Sequence, residues 1–511
     1  MHATRPLPAA ILVGLLTATG AAIRVAILDQ SLFADELSTW WIISTNGLEG
    51  VISTVHGNAE ITPPLAFVAS WLATQIDLTK EMARLPSLLA GVATIPAVYL
   101  LGARTVGRPA AVVAAALTTL SPFMIYYSAE ARSYALMMLF VVLSTLAMLA
   151  AVDTRRTGWW VLYAVCSCAA MYSHYTAVFA LGAQVLWLLW AHPEARRAAI
   201  LANVAAAAAF LPWLTGVRND LDSPTTEILS FLTPFDLHAV RVSLTHVAFG
   251  YPYDTIGLRE LPGEPALVML GLALLTGIAG LVLRVFGSGL GAWLRRADRR
   301  VVLVVVLALS VPVGEAVVSA VGTNIFGGRN LAAAWPSFAL SLAALLAAAG
   351  PRLRYVAVAL CLAAFAIAAG MLVLDDRFQR RDYLGVAEFI DRHARPGDVI
   401  VDAAVFSPGP YSSLDVALRR PHRVIRYNSP AQRVRPFGVF DRIVPVEEVI
   451  PRATAYGGRV FLVVALGDGR PQPDTSGFPP GYRVVETRVY PGTHALRVQV
   501  WADGGATSWR G

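Results

Sequence analysis

The chain has 511 residues, of which 56% are hydrophobic and only 15% charged, with a mean hydropathy of +0.57. An ordinary soluble domain carries about 25% charged residues, so a single soluble globule is excluded, and this much apolar content with sparse charge also excludes intrinsic disorder. The formal charge of +7 rests almost wholly on arginine, Lys80 being the single lysine; its distribution between apolar stretches speaks for membrane topology and not for a nucleic-acid partner.

A helix needs about 20 apolar residues to cross about 30 Å of hydrocarbon. Eleven stretches qualify, near 7–28, 84–103, 108–127, 134–151, 159–173, 175–191, 198–215, 264–284, 301–321, 331–349 and 354–374. The segment 62–76 is shorter and opens on Pro63 and Pro64. It reads as an embedded surface helix that does not cross. Alternate loops then carry Arg5; Arg104 and Arg108; Arg155 and Arg156; Arg196 and Arg197; Arg284, Arg295, Arg296, Arg299 and Arg300; and Arg352 and Arg354. Arginine collects in short cytoplasmic loops, so the N-terminus is expected inside and the C-terminus outside. A secretory signal in the first stretch is the lesser reading, because no clear cleavage site follows it. Cys166, Cys168 and Cys361 lie in apolar stretches and form neither a disulfide framework nor a zinc spacing.

The composition changes after Leu374. The expected architecture is an all-α polytopic membrane domain, 1–374, followed by a small α/β extracytoplasmic domain, 375–511. Its signals are an amphipathic stretch at 383–394 and strand-type alternations at 398–405 and 459–466, punctuated by Pro and Gly.

The outer loops hold the residues that carry chemistry. FADELSTWW places Asp35 and Glu36 just past the first apolar helix, where a carboxylate must be solvated, paired or used; a simple helix N-terminus with dipole-friendly acids is the plainer account. SPFMIYYSAEARSYAL (121–136) sets Glu130 and Arg132 between two long helices. A local Glu130–Arg132 pair would be structural only, although residues two apart on a helix do not face each other. Tyr126, Tyr127 and Tyr134 fit an interfacial aromatic belt or a sugar-stacking surface equally. His174 stands at a tight outward turn, where a hydrogen-bonding role is the common one. The loop 216–263 contains a helical stretch expected to lie flat in the interface. TNIFGGRNLAAAWP (323–336) brings Asn324, Arg329 and Asn330 to the same side, with Gly327 and Gly328 leaving room for an anion.

Outer arginines (Arg84, Arg132, Arg329) and outer acids (Asp35, Glu36, Glu130) in one compartment suit group transfer from an anionic lipid. A phosphate leaving group needs cations to hold it and no acid to protonate it, whereas an acceptor hydroxyl needs a carboxylate to take its proton. One base and a cationic cradle give inversion at the sugar carbon; retention would require a nucleophile as well. This reading depends on Asp35 and Arg329 lining one chamber beyond the outer lipid boundary.

DELSTWW, ITPPLAF, ARLPSLLAG (83–91), LGARTVGR, SPFMIYYSAEARSYAL, RNLAAAWP and RRDYLGVAEFIDRHARPGDVIV (380–401) together resemble the polytopic, lipid-dependent glycosyltransferases of the GT-C fold. The resemblance is to the family 39 and ArnT-like branch, which includes bacterial mannosyltransferases and aminoarabinose transferases, and it covers the first four hundred residues. It implies a plasma-membrane enzyme moving one sugar, mannose in the leading reading, from a polyprenyl-phosphate donor to a cell-envelope polysaccharide, a glycolipid or a protein hydroxyl. Asp35 matches the family base, with Glu36 next, and adjacent helix side chains diverge by about 100°, so both do not reach one hydroxyl. Glu130 matches the second acid. Arg132 and Arg329 would hold the phosphate, with Arg84 behind them, and His174, Tyr134 and Asn324 would contact substrate. Two departures stand out: Thr62 occupies the place where a histidine often precedes the proline pair, and WWDxG is absent, against whole-glycan transfer to asparagine.

A pentose or aminosugar transferase is the nearest enzymatic alternative. A transporter or flippase would want midplane charges and internal repeats, and Glu315 is the one charge that fits. A scaffold whose outer domain binds glycan is a third reading. Paired carboxylates near phosphate are compatible with a divalent cation, but no ligand set has diagnostic spacing.

Overall fold

The structure is a computed structural model and describes residues 8–223, 234–253, 255–289, 298–404, 411–427, 443–467 and 472–504. Arg5, Arg295, Arg296 and part of the 216–263 loop lie outside them. The chain forms two compact units. One comprises Met1–Leu28, Asn46–Asp222 and Leu229–Leu372; the other comprises Asp29–Thr45, Val373–Gly511 and a short stretch beginning at Ser223. The C-terminal part of the second unit starts within two residues of the composition change. Its N-terminal part differs from the sequence expectation, which placed the whole first outer loop in the membrane domain.

The first unit is helical, and the protein is a multi-span membrane protein. A helix occupies each of the eleven apolar stretches. Seven described helices are long and apolar enough to cross, or eight when the bent pair at 108–128 counts as one span. The helices used below are α1 (Ala9–Val25), then α2 (Asp35–Thr45) of the second unit, α3 (Leu48–Thr54), α4 (Leu65–Thr74), α5 (Lys80–Thr105), α6 (Arg108–Leu120), α7 (Pro122–Ser128), α8 (Tyr134–Thr154), α9 (Thr157–Ser173) and α10 (Ala177–Ala191). The ten residues of α4 rise only about 15 Å, half the hydrocarbon thickness.

Local sequence explains the elements that shape the outer end. Ser121 caps α7 by accepting the Met124 N–H, and Pro122 in the first turn stops α6 from running on, so α6 and α7 meet at 58°. The break leaves carbonyls at the end of α6 without helical donors. Arg24, fully buried on α1, supplies them: its guanidinium donates to Thr118 O at 3.0 Å, Thr119 O at 3.3 Å and Ser128 Oγ at 3.0 Å. Gly91 on α5 admits α7, since a Cβ there would sit 1.9 Å from Ser128 Oγ.

The loops expected inside do converge at one end of this bundle. Arg300 pairs with Asp153 and donates to Arg104 O, while Arg299 donates to Ala191 O. The α9–α10 turn meets a different loop, with Thr176 Oγ1 donating to Asn330 O at 3.2 Å. The helix expected to lie flat is present as Leu237–Phe249, capped by Asp236.

The second unit carries a six-stranded sheet, with β1 (Val399–Asp402), β2 (Arg423–Tyr427), β3 (Ile443–Val444), β4 (Val460–Ala465), β5 (Tyr482–Tyr490) and β6 (Leu496–Asp503) in the order β3-β2-β1-β4-β6-β5. The first four in that order pair in parallel, and β6 and β5 add antiparallel. Strand alternation divides the core. Ile400, Phe461 and Val463 pack under the helix Tyr383–His393, while Val399, Val401, Leu462 and Val464 pack under the helix Val446–Thr454. Phe33, from the segment before α2, joins the first of these cores.

Candidate active site

In the first unit the site is built on the Glu130–Ser133 loop between α7 and α8. Arg132 reaches beyond its own loop. Its guanidinium grips Glu60 with both terminal nitrogens, at 3.0 and 3.1 Å, each side chain being only 6% exposed. A planar fork on a carboxylate is the geometry arginine alone provides. Phe67 of α4 lies 5.6 Å under the same guanidinium, and Ser87 Oγ of α5 donates to Arg132 O at 2.8 Å. Arg132 is therefore anchored, and Glu60 is a residue the sequence reading did not single out.

Around this loop the aromatic side chains form a continuous cluster. Tyr127 contacts Tyr134 with centroids 4.8 Å apart, Tyr126 contacts Tyr251 and Tyr253 at 5.8 and 5.6 Å, and Tyr134 lies 5.4 Å from His174. Glu130, Tyr134 and Arg329 all act electrostatically on the Tyr127 hydroxyl. His174 is buried, and burial first, then the nearby charges of Arg132 and Arg329, pushes its imidazole down to about 3. Its Nδ1 lies 2.9 Å from Thr176 Oγ1 at the α9–α10 turn. Glu130, Arg132, Tyr134, His174 and Arg329 thus share one neighbourhood.

Asn324 and Arg84 serve other contacts. Asn324 Oδ1 accepts the Phe326 N–H at 3.0 Å, shaping the turn that presents Arg329. Glu315, fully buried on the preceding helix, faces the Gly327 N–H of the same turn. Arg84 is fully buried on α5 and donates to Leu28 O at 2.6 Å, beyond the end of α1. A polar cluster flanks Glu60: Tyr175 donates to Asp220, Trp213 Nε1 donates to Tyr175 Oη, and Asn219 donates to His56 O. No sequence signal marked it, because its members come from separated loops and share no spacing.

In the second unit, Asp35 and Glu36 open α2. Glu36 is buried and pairs with Arg380, while Asp35 is half-buried. Ala34, immediately before, has a φ of +52°, a left-handed conformation that costs a non-glycine residue about 1 kcal/mol or more. Among the described residues, no three His, Cys, Asp or Glu side chains converge as metal ligands.

Residues 62–215, which contain Glu130, Arg132 and His174, match the family model described as dolichyl-phosphate-mannose-protein mannosyltransferase. The whole fold is similar to that of ArnT from Cupriavidus metallidurans in the apo state, at 15% identity and a TM-score of 0.57, covering 98% of this chain and 100% of that one. The chain has the ArnT-like GT-C fold. The ArnT structure bound to undecaprenyl phosphate is also similar, at 14% identity and a TM-score of 0.55, covering 95% of this chain and 97% of that chain. A search of curated proteins returns no match.

Proposed function

We propose that the protein transfers a single sugar, mannose, from a polyprenyl phosphate to an extracytoplasmic hydroxyl, with inversion and with Asp35 as the general base. The observation that carries this reading is the gathering of Arg329, Arg132, neutral His174 and Tyr134 at one loop cluster, largely within the segment that matches the mannosyltransferase model. Arg329 supplies the cation for the phosphate. Arg132 has committed two of its five N–H groups to Glu60 and fixes the wall on which the sugar rests. The neutral His174 ring offers a hydrogen bond, and the tyrosines offer a face for the sugar ring.

The step balances without a further reactant. The bond from the sugar carbon to phosphate breaks with its electron pair on the phosphate oxygen, the acceptor oxygen bonds to the opposite face of that carbon, and its proton passes to Asp35. The products are the glycoside and the polyprenyl phosphate, and Asp35 returns its proton to water. No step is assigned to a metal ion. The acceptor belongs to the envelope outside the plasma membrane, with the N-terminus of the enzyme cytoplasmic and its α/β domain extracytoplasmic.

The test is sugar incorporation into isolated membranes from labelled polyprenyl-phosphate mannose, with polyprenyl-phosphate arabinose and aminoarabinose run in parallel. Asp35→Asn is expected to lower the rate by about 10²- to 10⁴-fold, the usual contribution of a general base. An undiminished rate removes Asp35 as base, and incorporation from a pentose or aminosugar donor alone replaces mannose.

A further inference from the structure

We propose that Arg380 is a positioning residue for the acceptor base, holding Glu36 so that the first turn of α2 presents Asp35 in one direction. The proposal rests on the reading of Asp35 given above and deepens it. Glu36 is 0% and Arg380 4% exposed. A carboxylate that deep without its cation carries a large desolvation penalty, so the pair locks residue 36 to residue 380. Neighbouring helical side chains diverge by about 100°; locking Glu36 inward therefore turns Asp35 to the less buried side. The two acids divide the work: Glu36 is the anchor and Asp35 the reacting group.

The ion pair is one of several ties between 30–36 and 380–384, all within the second unit. The Arg380 N–H donates to Gln30 Oε1 at 3.2 Å, and the Leu384 N–H donates to Ser31 Oγ at 3.2 Å. The Arg381 guanidinium lies 5.4 Å over the Phe33 ring. Arg381 also donates to Ala404 O at 3.4 Å, and Tyr383 Oη donates to the same carbonyl at 2.7 Å, which roots the clamp just past the carboxyl end of β1. The left-handed Ala34 sits inside this clamp, where surrounding contacts hold a strained residue in place. On this account the α/β domain aims the catalytic helix; it is not an appended acceptor module.

The experiment uses the full-length protein in native membranes with labelled polyprenyl-phosphate mannose, measuring kcat and donor KM separately. Arg380→Ala is expected to lower kcat about 100-fold, the cost of misplacing a reacting group by about 1 Å, with donor KM within about threefold. Arg380→Lys restores about tenfold of that loss, since the charge returns without the fork. Glu36→Gln combined with Arg380→Ala costs no more than Arg380→Ala alone, because the two residues act as one unit. Arg452→Ala, an exposed arginine paired with Glu448, serves as the control and keeps the wild-type rate. Wild-type kcat in Arg380→Ala, losses that add, or a loss confined to KM overturns the proposal. Where Arg380→Ala does not accumulate, Arg380→Lys and Glu36→Gln carry the test, and wild-type kcat in both overturns it. An active Asp35→Asn defeats the underlying reading of the base; an inactive Asp35→Asn with a normal Arg380→Ala defeats the positioning role alone.

Discussion

Glu60 changes what Arg132 is. In the sequence Arg132 has Glu130 two positions away; in the fold its two terminal nitrogens are taken by a carboxylate 72 positions away. Removing one member of a buried pair strands the other, so Glu60→Gln is expected to destabilise the folded protein by about 3–5 kcal/mol, read as a lowered Tm in detergent. His174 gives a pH signature. Its folded-state value of about 3 lies below the ordinary 6.5, so the unfolded chain binds a proton that the native state refuses. The neutral histidine's contribution is fully present above pH 6.5 and is lost progressively as pH falls toward 3. Between pH 6.5 and 5 the wild type should lose about 2 kcal/mol more stability than His174→Gln, measured by thermal unfolding across that range. For the same reason the imidazole stays neutral at physiological pH, and no limb of the rate profile near pH 6.5 belongs to it.

The helical elements owe their arrangement to two small devices at one crossing. Gly91 lets α5 and α7 touch, and Arg24 meets the carbonyls that the Ser121–Pro122 break leaves open. Gly91→Val would drive a side chain into Ser128, with overpacking costs of about 1–3 kcal/mol or more; a Tm equal to wild type would contradict the crossing. Arg24→Met leaves those carbonyls unmet and should cost more than Gly91→Val, by the same measurement. Only the residue types were legible, a glycine in ARLPSLLAG and an arginine in the first apolar stretch. What each one touches was not, because hydropathy reports which residues leave water and is silent on which partner they meet.

On the scale of the whole molecule, α2 belongs with the C-terminal sheet although almost the entire membrane bundle separates them in sequence. Hydrogen exchange should therefore show the amides of 35–45 protected together with those of 383–393, and Arg380→Ala should loosen both sets while leaving α8 unchanged. A cysteine placed at the exposed Tyr456 should react with an impermeant thiol reagent from outside intact cells, and failure to do so would reverse the expected topology.

The one-dimensional pattern determined the membrane class, the placement of the apolar helices, the short α4 and the α/β character of the C-terminal region. These are consequences of hydropathy, periodicity and turn residues, each readable within a window of about twenty positions. Only the tertiary structure decided the partners: Glu60 for Arg132, Arg380 for Glu36, and a common neighbourhood for His174 and Arg329. In a chain this rich in arginine every outer acid has many candidate partners. Which pair forms depends on where distant segments are brought together and sealed from water, and no local spacing records that.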